Sequence, residues 1–295
     1  MKANPTPQTA TSAERGQQIL SRFLSVDELL IRPTADQVQD PFIDSSHEPK
    51  SPVRISLARH QELEQCLRNS PADPEPYLEL AEIYSSQQRW KDVRRILDQG
   101  INHNPHNETM RFLREEILMQ CSREQLEQAK KELRTRRTEE NELTVERCET
   151  DLANTRVAVC EARYKRHPEQ TDLLIPLAIS LRQLRRMDEA IEQLRKAQQV
   201  PELRSRASLQ LGMCYQQAGG VLDALSAYRC AALFRAPPPP QDLKQRAFEL
   251  AYELAEQNQL LDSAARYLEL LIAEQPKNRE FLEKRLVSLR QNIPT

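Results

Sequence analysis

The first residues to weigh are those whose side chains could hold a metal ion or a phosphate group. His103 and His106 are close in sequence, but they flank Pro105 in a turn with Asn on either side, which is typical of solvated loop histidines. The adjacent Gly219 and Gly220 fit a turn between helices rather than a phosphate-binding loop. Metalloprotease, serine-hydrolase and paired-cysteine zinc motifs are missing from the sequence. We therefore predict that the chain is not an enzyme and uses no metal or other cofactor.

The six cysteines also give no sign of redox or metal chemistry. None of them belongs to a CxxC pair, and all lie in helical sequence patterns: Cys66, Cys121, Cys148, Cys160, Cys214 and Cys230. We expect reduced thiols that are buried or half-buried. The first 17 residues lack the apolar core of a signal peptide, and no segment is apolar enough to span a membrane. The sequence thus predicts a cytoplasmic protein.

One basic run could contact RNA or lipid. It consists of Lys130, Lys131, Arg134, Arg136 and Arg137. Four acidic neighbours largely cancel its charge, namely Glu127, Glu132, Glu139 and Glu140. The formal net charge of the whole chain is only -2, so a solvated helix face is the better interpretation and nucleic acid is a disfavoured partner.

The composition predicts that helices must position whatever functional residues exist. Charged residues make up 29% of the chain, and glycine occurs only five times. Residues 1–52 are rich in Pro, Ser, Thr and Gln, and we expect most of this arm to be disordered. One segment, Ser12 to Leu30, has apolar residues at helical spacing. It is either a short helix on the folded part or a docking motif that folds on a partner.

The middle of the chain contains 62 residues without proline or glycine, from 106 to 167. This predicts one long helix or two near-continuous helices, and more than half of the residues from Ser122 to Glu142 are charged. Farther on, an apolar stripe with heptad-like spacing comprises Val145, Cys148, Leu152, Thr155, Val159 and Ala162. The stripe either packs on the chain's own second lobe, forms a homodimer through residues 145–162, or belongs to a strut without a partner.

A helix-turn-helix pattern recurs on both sides of this middle segment. Pro71 to Pro105 is 34 residues, and so are Ala178 to Gly212 and Ala190 to Ala224. The clearest unit covers residues 203–236, where small residues mark the close helix crossing and large residues fill the core. A spacer of four prolines, 237–240, precedes a third unit with an extra residue in its turn. Residues 278–291 then resemble a capping helix.

These units resemble the tetratricopeptide repeat (TPR). The first-lobe residues that match the family pattern are Tyr77, Leu80, Ala81, Tyr84, Trp90, Val93, Leu97, Gly100 and Pro105. Those of the second lobe are Leu177, Ala178, Leu181, Ala190, Leu194, Ala197, Leu211, Gly212, Tyr215, Gly219, Ala224, Tyr228 and Ala231. The resemblance covers residues 54–120 and 169–292. It implies an all-α, TPR-like α-solenoid in two lobes joined by a long charged helix: a disordered arm (1–52), an N-terminal lobe (53–120), the coiled-coil-like helix (121–168) and a C-terminal lobe with a capping helix (169–295).

The resemblance also implies a protein-binding groove lined by the first helix of each pair. In the second lobe the groove positions are Ile175, Ile179, Arg182, Gln183, Arg206, Leu209, Met213, Gln216 and Gln217, with Asp172 at the start. In the first lobe they are Glu75, Leu78, Glu82, Ser85 and Ser86. An apolar floor between polar rims favours an amphipathic helix as the ligand. The Lys, Asn and Arg set with which one subgroup of the family grips acidic C-termini is not reproduced.

The predicted function is therefore that of a non-enzymatic scaffold or adaptor that binds a partner peptide or helix in the groove. A self-associating strut that uses the long helix is the second hypothesis. An RNA-binding helical repeat protein is the third, and the near-neutral charge disfavours it.

Overall fold

The structure is a computed structural model that describes residues 57–274 and 279–291 of the 295-residue chain. Within these ranges every regular element is helical, which confirms the all-α prediction. The chain divides into two compact units between Thr155 and Arg156. The predicted N-terminal arm and its amphipathic segment, Ser12 to Leu30, lie outside the described residues.

The first unit contains four helices and most of a fifth. They are α1 (Leu57–Asn69), α2 (Glu75–Ser86), α3 (Trp90–His103), α4 (Glu108–Thr135) and α5 (Glu139–Arg166), of which the last part belongs to the second unit. A common core of α1 to α4 buries Tyr77, Leu80, Val93, Leu97, Met110 and Ile117. The start of α4 is fixed by Asn107, whose side chain accepts a hydrogen bond from the Met110 amide at 3.0 Å.

The long charged segment is two helices rather than one, because the chain turns at residues 136–138. The side-chain amide of Asn141 donates to the Arg136 carbonyl at 2.7 Å, and the Asn141 backbone amide donates to the Thr138 hydroxyl at 3.3 Å. These polar side chains satisfy the backbone groups that a helix break exposes. Of the two predicted alternatives, one long helix or two near-continuous helices, the structure has the second. A break in such a segment needs neither proline nor glycine.

The start of α5 runs back along α4. Lys130 and Glu149 form an ion pair at 3.4 Å, and the hydroxyls of Ser122 and Thr155 are 3.1 Å apart. Between these two contacts lie the buried side chains of α4 and α5, among them Leu126, Ala129 and Leu152. The heptad-like stripe therefore has an intrachain partner at Thr155. The homodimer through residues 145–162 stays a prediction.

The second unit is built from helical pairs. After the end of α5 and a short 3-10 helix (Thr171–Leu173) come α6 (Leu174–Gln183), α7 (Met187–Ala197), α8 (Arg204–Gln217), α9 (Val221–Leu233), α10 (Gln241–Gln257), α11 (Leu261–Ala273) and α12 (Arg279–Gln291). Each first helix packs on its second helix in the pairs α6–α7, α8–α9 and α10–α11. The first helices also contact one another, since α8 touches both α6 and α10. Helix α12 packs on α11 and so closes the array.

The turn inside each helical pair has the same geometry in all four pairs of the described chain. One residue adopts a left-handed conformation: Gln88 (φ 57°), Arg185 (φ 63°), Gly219 (φ 82°) and Gln259 (φ 59°). The amide of the following residue then donates, at 2.9 Å each time, to the carbonyl five positions back: Arg89 to Tyr84, Arg186 to Leu181, Gly220 to Tyr215 and Leu260 to Ala255. This bond ends the first helix and directs the chain into the second.

The closest helix crossing of the second unit occurs at Gly212. A Cβ atom added to Gly212 would lie 2.4 Å from two ring atoms of Tyr228 on α9. The ring of Tyr228 is completely buried, so it has no space into which it could move. The 34-residue repeat therefore needs a glycine here because a fully buried ring occupies the place of its side chain.

We expect opposite effects on stability from two substitutions in the turns. Gln259→Gly should raise the free energy of unfolding by about 1 kcal/mol, because a non-glycine residue is strained at positive φ. Gly219→Ala should lower it by about the same amount, although its Cβ would meet no atom within 4 Å. Urea denaturation of the two variants measures both changes. Equal shifts in the same direction would contradict the assignment of strain to these turns.

We also expect Gly212→Ala to lower the free energy of unfolding by about 1–2 kcal/mol. Overpacking against Tyr228 outweighs the roughly 1 kcal/mol that alanine gains in a helix. Gly220→Ala is the matched control, because its Cβ would lie 3.5 Å from the nearest atom and its φ of -81° suits alanine. Thermal unfolding compares the pair. The close crossing would be refuted by a Gly212→Ala variant as stable as the wild type.

Candidate functional site

The five predicted groove residues of α8 share one side of that helix. Successive residues turn by about 100° around a helix axis, which places all five within an arc of about 100°. They are Arg206, Leu209, Met213, Gln216 and Gln217, and each is exposed or half-buried. Gln210 lies at the edge of the same side. We call these six residues the α8 face. The opposite side of α8, with Ala207, Leu211 and Cys214, is buried.

The groove residues of α6 are placed differently. Ile175 and Ile179 are buried, with 4% and 8% of their surfaces exposed, so they are not available to a partner. This helix is apolar on nearly all sides, and a helix of that kind is expected to be buried all round. All eight residues from Leu174 to Leu181 are indeed buried. Only the end of α6 is accessible, where Arg182 is half-buried and Gln183 is exposed. The apolar floor is therefore shorter than the sequence indicated.

Two large apolar side chains remain on the α8 face. Leu209 and Met213 lie one turn apart, and both pack with one side against the core that α8 shares with α9 and α10. Their other side is solvent-accessible, because both residues are only half-buried. They form a short apolar strip between the polar residues of the face.

The accessible side of α10 completes the site and was missed by the sequence reasoning. It consists of Gln245, Arg246, Glu249, Tyr252, Glu253 and Glu256. The sequence signal that could have identified this side is Ala251, which occupies the small-residue position that Gly212 has in α8. Ala251 lies 39 residues after Gly212 instead of 34, because the proline spacer displaces the third pair. Arg285 of α12 donates hydrogen bonds to Glu256 at 2.6 Å and to Tyr252 at 3.4 Å. The capping helix thus covers the far edge of this side.

A buried tyrosine holds one residue of the α8 face in position. The hydroxyl of Tyr228 reaches through from α9 and donates to the side-chain oxygen of Gln216 at 2.6 Å. Burial raises the pKa of Tyr228 far above that of a free tyrosine, so the hydroxyl stays a donor at physiological pH. The amide nitrogen of Gln216 remains available on the surface.

Arg182 lies at the end of α6, the helix that packs on α8. Its charge lowers the pKa of both Cys214 and Tyr228, although burial raises each of them more. The pKa of Cys214 is about 11 as a result, so its thiol is neutral and unreactive. The Nε atom of Arg182 is shielded from solvent and has no hydrogen-bond partner among the described residues.

The predicted groove of the first unit is polar. By helical spacing its residues share one side of α2: Glu75, Leu78, Glu82, Ser85 and Ser86. Leu78 is the only large apolar residue among them, and it is half-buried in the core of that unit. This side of α2 therefore offers less apolar surface than the α8 face.

The described part of the chain contains no group of three or more His, Cys, Asp or Glu side chains arranged to hold a metal ion. None of its helices has the length and apolar character needed to cross a bilayer.

Comparison with known proteins gives one family match. Residues 60–117 match the sequence profile of the tetratricopeptide repeat. No curated protein matches the whole sequence significantly. Among solved structures, the MamA protein is 15% identical with a TM-score of 0.45, over 70% of this chain and 94% of that one.

Two further solved structures are similar at the same level. YrrB, described as a TPR protein with an unusual peptide-binding site, is 17% identical with a TM-score of 0.41, over 79% of this chain and 100% of that one. A protein from Thermus thermophilus, described as a thermophilic TPR protein, is 14% identical with a TM-score of 0.38, over 74% of this chain and 100% of that one.

We expect the cysteine thiols to differ in reactivity according to their solvent exposure. At pH 8 an alkylating reagent should modify the exposed Cys66 and Cys230 readily. It should modify Cys214 at a rate at least about a hundredfold lower than theirs, because the thiol of Cys214 is neutral and buried. Mass spectrometry of the labelled peptides measures the rates, and denatured protein provides the control in which all cysteines react. Equal labelling of Cys214 and Cys230 in the native protein would contradict the packing of α8.

Proposed function

Because this chain is a tetratricopeptide repeat protein, we propose that it is a non-enzymatic adaptor that binds a segment of a partner protein on the α8 face. The observation that carries the proposal is the accessible strip of Leu209 and Met213 on a helix whose other side is buried. These two large apolar side chains lie one turn apart and stay in contact with water. A ligand that covers them lowers the free energy of the system, because it removes apolar surface from water.

The shape of the strip favours an amphipathic helix as the ligand. Such a helix presents apolar residues three or four positions apart, which matches one turn of α8. Polar residues surround the strip, with Arg206 and Gln217 exposed and Gln216 half-buried. They can bind the polar groups at the edge of the ligand, so that no buried group is left without a hydrogen bond.

The α8 face is supported by rigid structure beneath it. Tyr228 fills the space at Gly212 and holds Gln216 through its hydroxyl. The left-handed turns fix where each first helix ends. A preformed surface loses little conformational entropy when it binds, and this lowers the cost of association.

The two other hypotheses receive less support. The strut needs the heptad-like stripe to be accessible, but Thr155 contacts Ser122 of the same chain and Leu152 is buried. An RNA ligand would meet Glu249, Glu253 and Glu256 on the neighbouring side of α10. The cytoplasmic location stays a prediction.

The proposal is tested with a displayed peptide library selected on the purified protein. We expect Met213→Glu to weaken the selected peptides at least about tenfold, because it places a charge in an apolar contact. Leu222→Glu is the matched control, since Leu222 is 75% exposed and lies on α9, away from the α8 face. Isothermal titration measures the dissociation constants, and circular dichroism verifies that both variants fold.

Two results would overturn the proposal. One is a library that yields no peptide whose binding depends on Met213. The other is equal weakening by Leu222→Glu, which would mean that the contact lies elsewhere. In cells, a photo-cross-linking residue at Gln217 should capture a protein that the same residue at Glu192 on α7 does not.

A further inference from the structure

We infer that the partner segment carries an Asp or Glu side chain whose carboxylate binds Arg182, beside the apolar strip of the α8 face. This inference rests on the proposed function and specifies the chemistry of the ligand. It starts from the fact that the Nε atom of Arg182 is shielded from solvent without a hydrogen-bond partner in the described residues.

Three other arginines of the second unit pair with carboxylates. Arg186 pairs with Glu189 at 2.7 Å, Arg246 with Glu249 at 3.2 Å and Arg285 with Glu256 at 2.6 Å. Within the described part of the chain no carboxylate forms an ion pair with Arg182. The half-buried guanidinium of Arg182 therefore has N–H donors that no described carboxylate uses.

Such an arrangement costs free energy in the unbound protein. Arginine stays charged at every physiological pH, so it cannot lose a proton to reduce the cost. A shielded donor without a partner is unfavourable. A carboxylate that binds the accessible terminal nitrogens can accept two parallel N–H bonds and neutralise the half-buried charge.

The position of Arg182 links it to the α8 face. Helix α6, whose last residues are Arg182 and Gln183, packs on α8, and the guanidinium charge lowers the pKa of Cys214 on α8 and of Tyr228 on α9. At the edge of the α8 face, the side-chain oxygen of Gln210 is also shielded and unpartnered in the described structure. A bound peptide can offer a carboxylate to Arg182 and a backbone N–H to Gln210.

A protein carboxylate fits this place better than a nucleic-acid phosphate. A polyanion that covered the α8 face would extend onto the acidic side of α10, where Glu253 is exposed beside Glu249 and Glu256. A peptide can place one acidic residue at Arg182 and apolar residues on Leu209 and Met213. The ligand we infer is thus an amphipathic segment with a single acidic residue beside its apolar stripe.

The test is a double-mutant cycle on a peptide selected by the wild-type protein. Replacing the peptide's acidic residue by its amide should weaken binding to the wild type about tenfold, as should Arg182→Met with the original peptide. The two changes together should weaken binding no further. Arg266→Met, at an exposed arginine on α11, is the control and should leave the cycle unchanged. The melting temperature of Arg182→Met should equal or exceed that of the wild type, since the variant loses an unpartnered donor.

The outcomes separate this inference from the proposed function. If replacing the acidic residue of the peptide by its amide weakens binding to Arg182→Met as much as it weakens binding to the wild type, the carboxylate does not bind Arg182. The inference is then wrong, whereas the proposed binding at Met213 is unaffected. Selected peptides without acidic residues also overturn it. An oligonucleotide that binds in an Arg182-dependent way, where no selected peptide does, overturns both the inference and the proposed function.

Discussion

The fold of the second unit depends on how each helix passes into the next. A residue at positive φ ends the first helix, and a bond to the carbonyl five residues back fixes the direction of the second. In the described chain this turn occurs at Gln88, Arg185, Gly219 and Gln259, so glycine occupies it only once. The bond recurs although the strained residue varies, because a helical pair without it would leave carbonyl groups unsatisfied and its helices misaligned.

The close approach of the paired helices has a direct consequence for the surface. At Gly212 the ring of Tyr228 passes between backbones and brings its hydroxyl to Gln216. Packing at Gly212 therefore determines the position of a polar group one turn farther along α8. The same packing leaves Leu209 and Met213 half-buried, because the core beneath is already filled by Tyr228 and Phe248. The α8 face is thus a product of the core and not an independent surface.

Charged side chains form ion pairs in both units. Between α4 and α5, the Lys130–Glu149 pair and the polar residues of the turn at 136–138 hold the two helices together. In the second unit, several arginines pair with glutamates of their own or a neighbouring helix, whereas Arg182 is half-buried without one. An exposed ion pair adds little stability, so pairing there is easily exchanged. An unpaired, shielded guanidinium has a cost, which a ligand can remove.

The sequence by itself determined the helical pairs, because both signals for them are local. The apolar periodicity defines each helix, and the 34-residue spacing from Ala178 to Gly212 relates one pair to the next. It also placed the groove residues of α8 on one side. Three features needed tertiary structure: the break at 136–138, the burial of Ile175 and Ile179, and the isolation of Arg182. Each depends on which helices meet across the fold. The period of a sequence gives the side of a helix on which a residue lies, but only packing decides whether that side is covered or left for a partner.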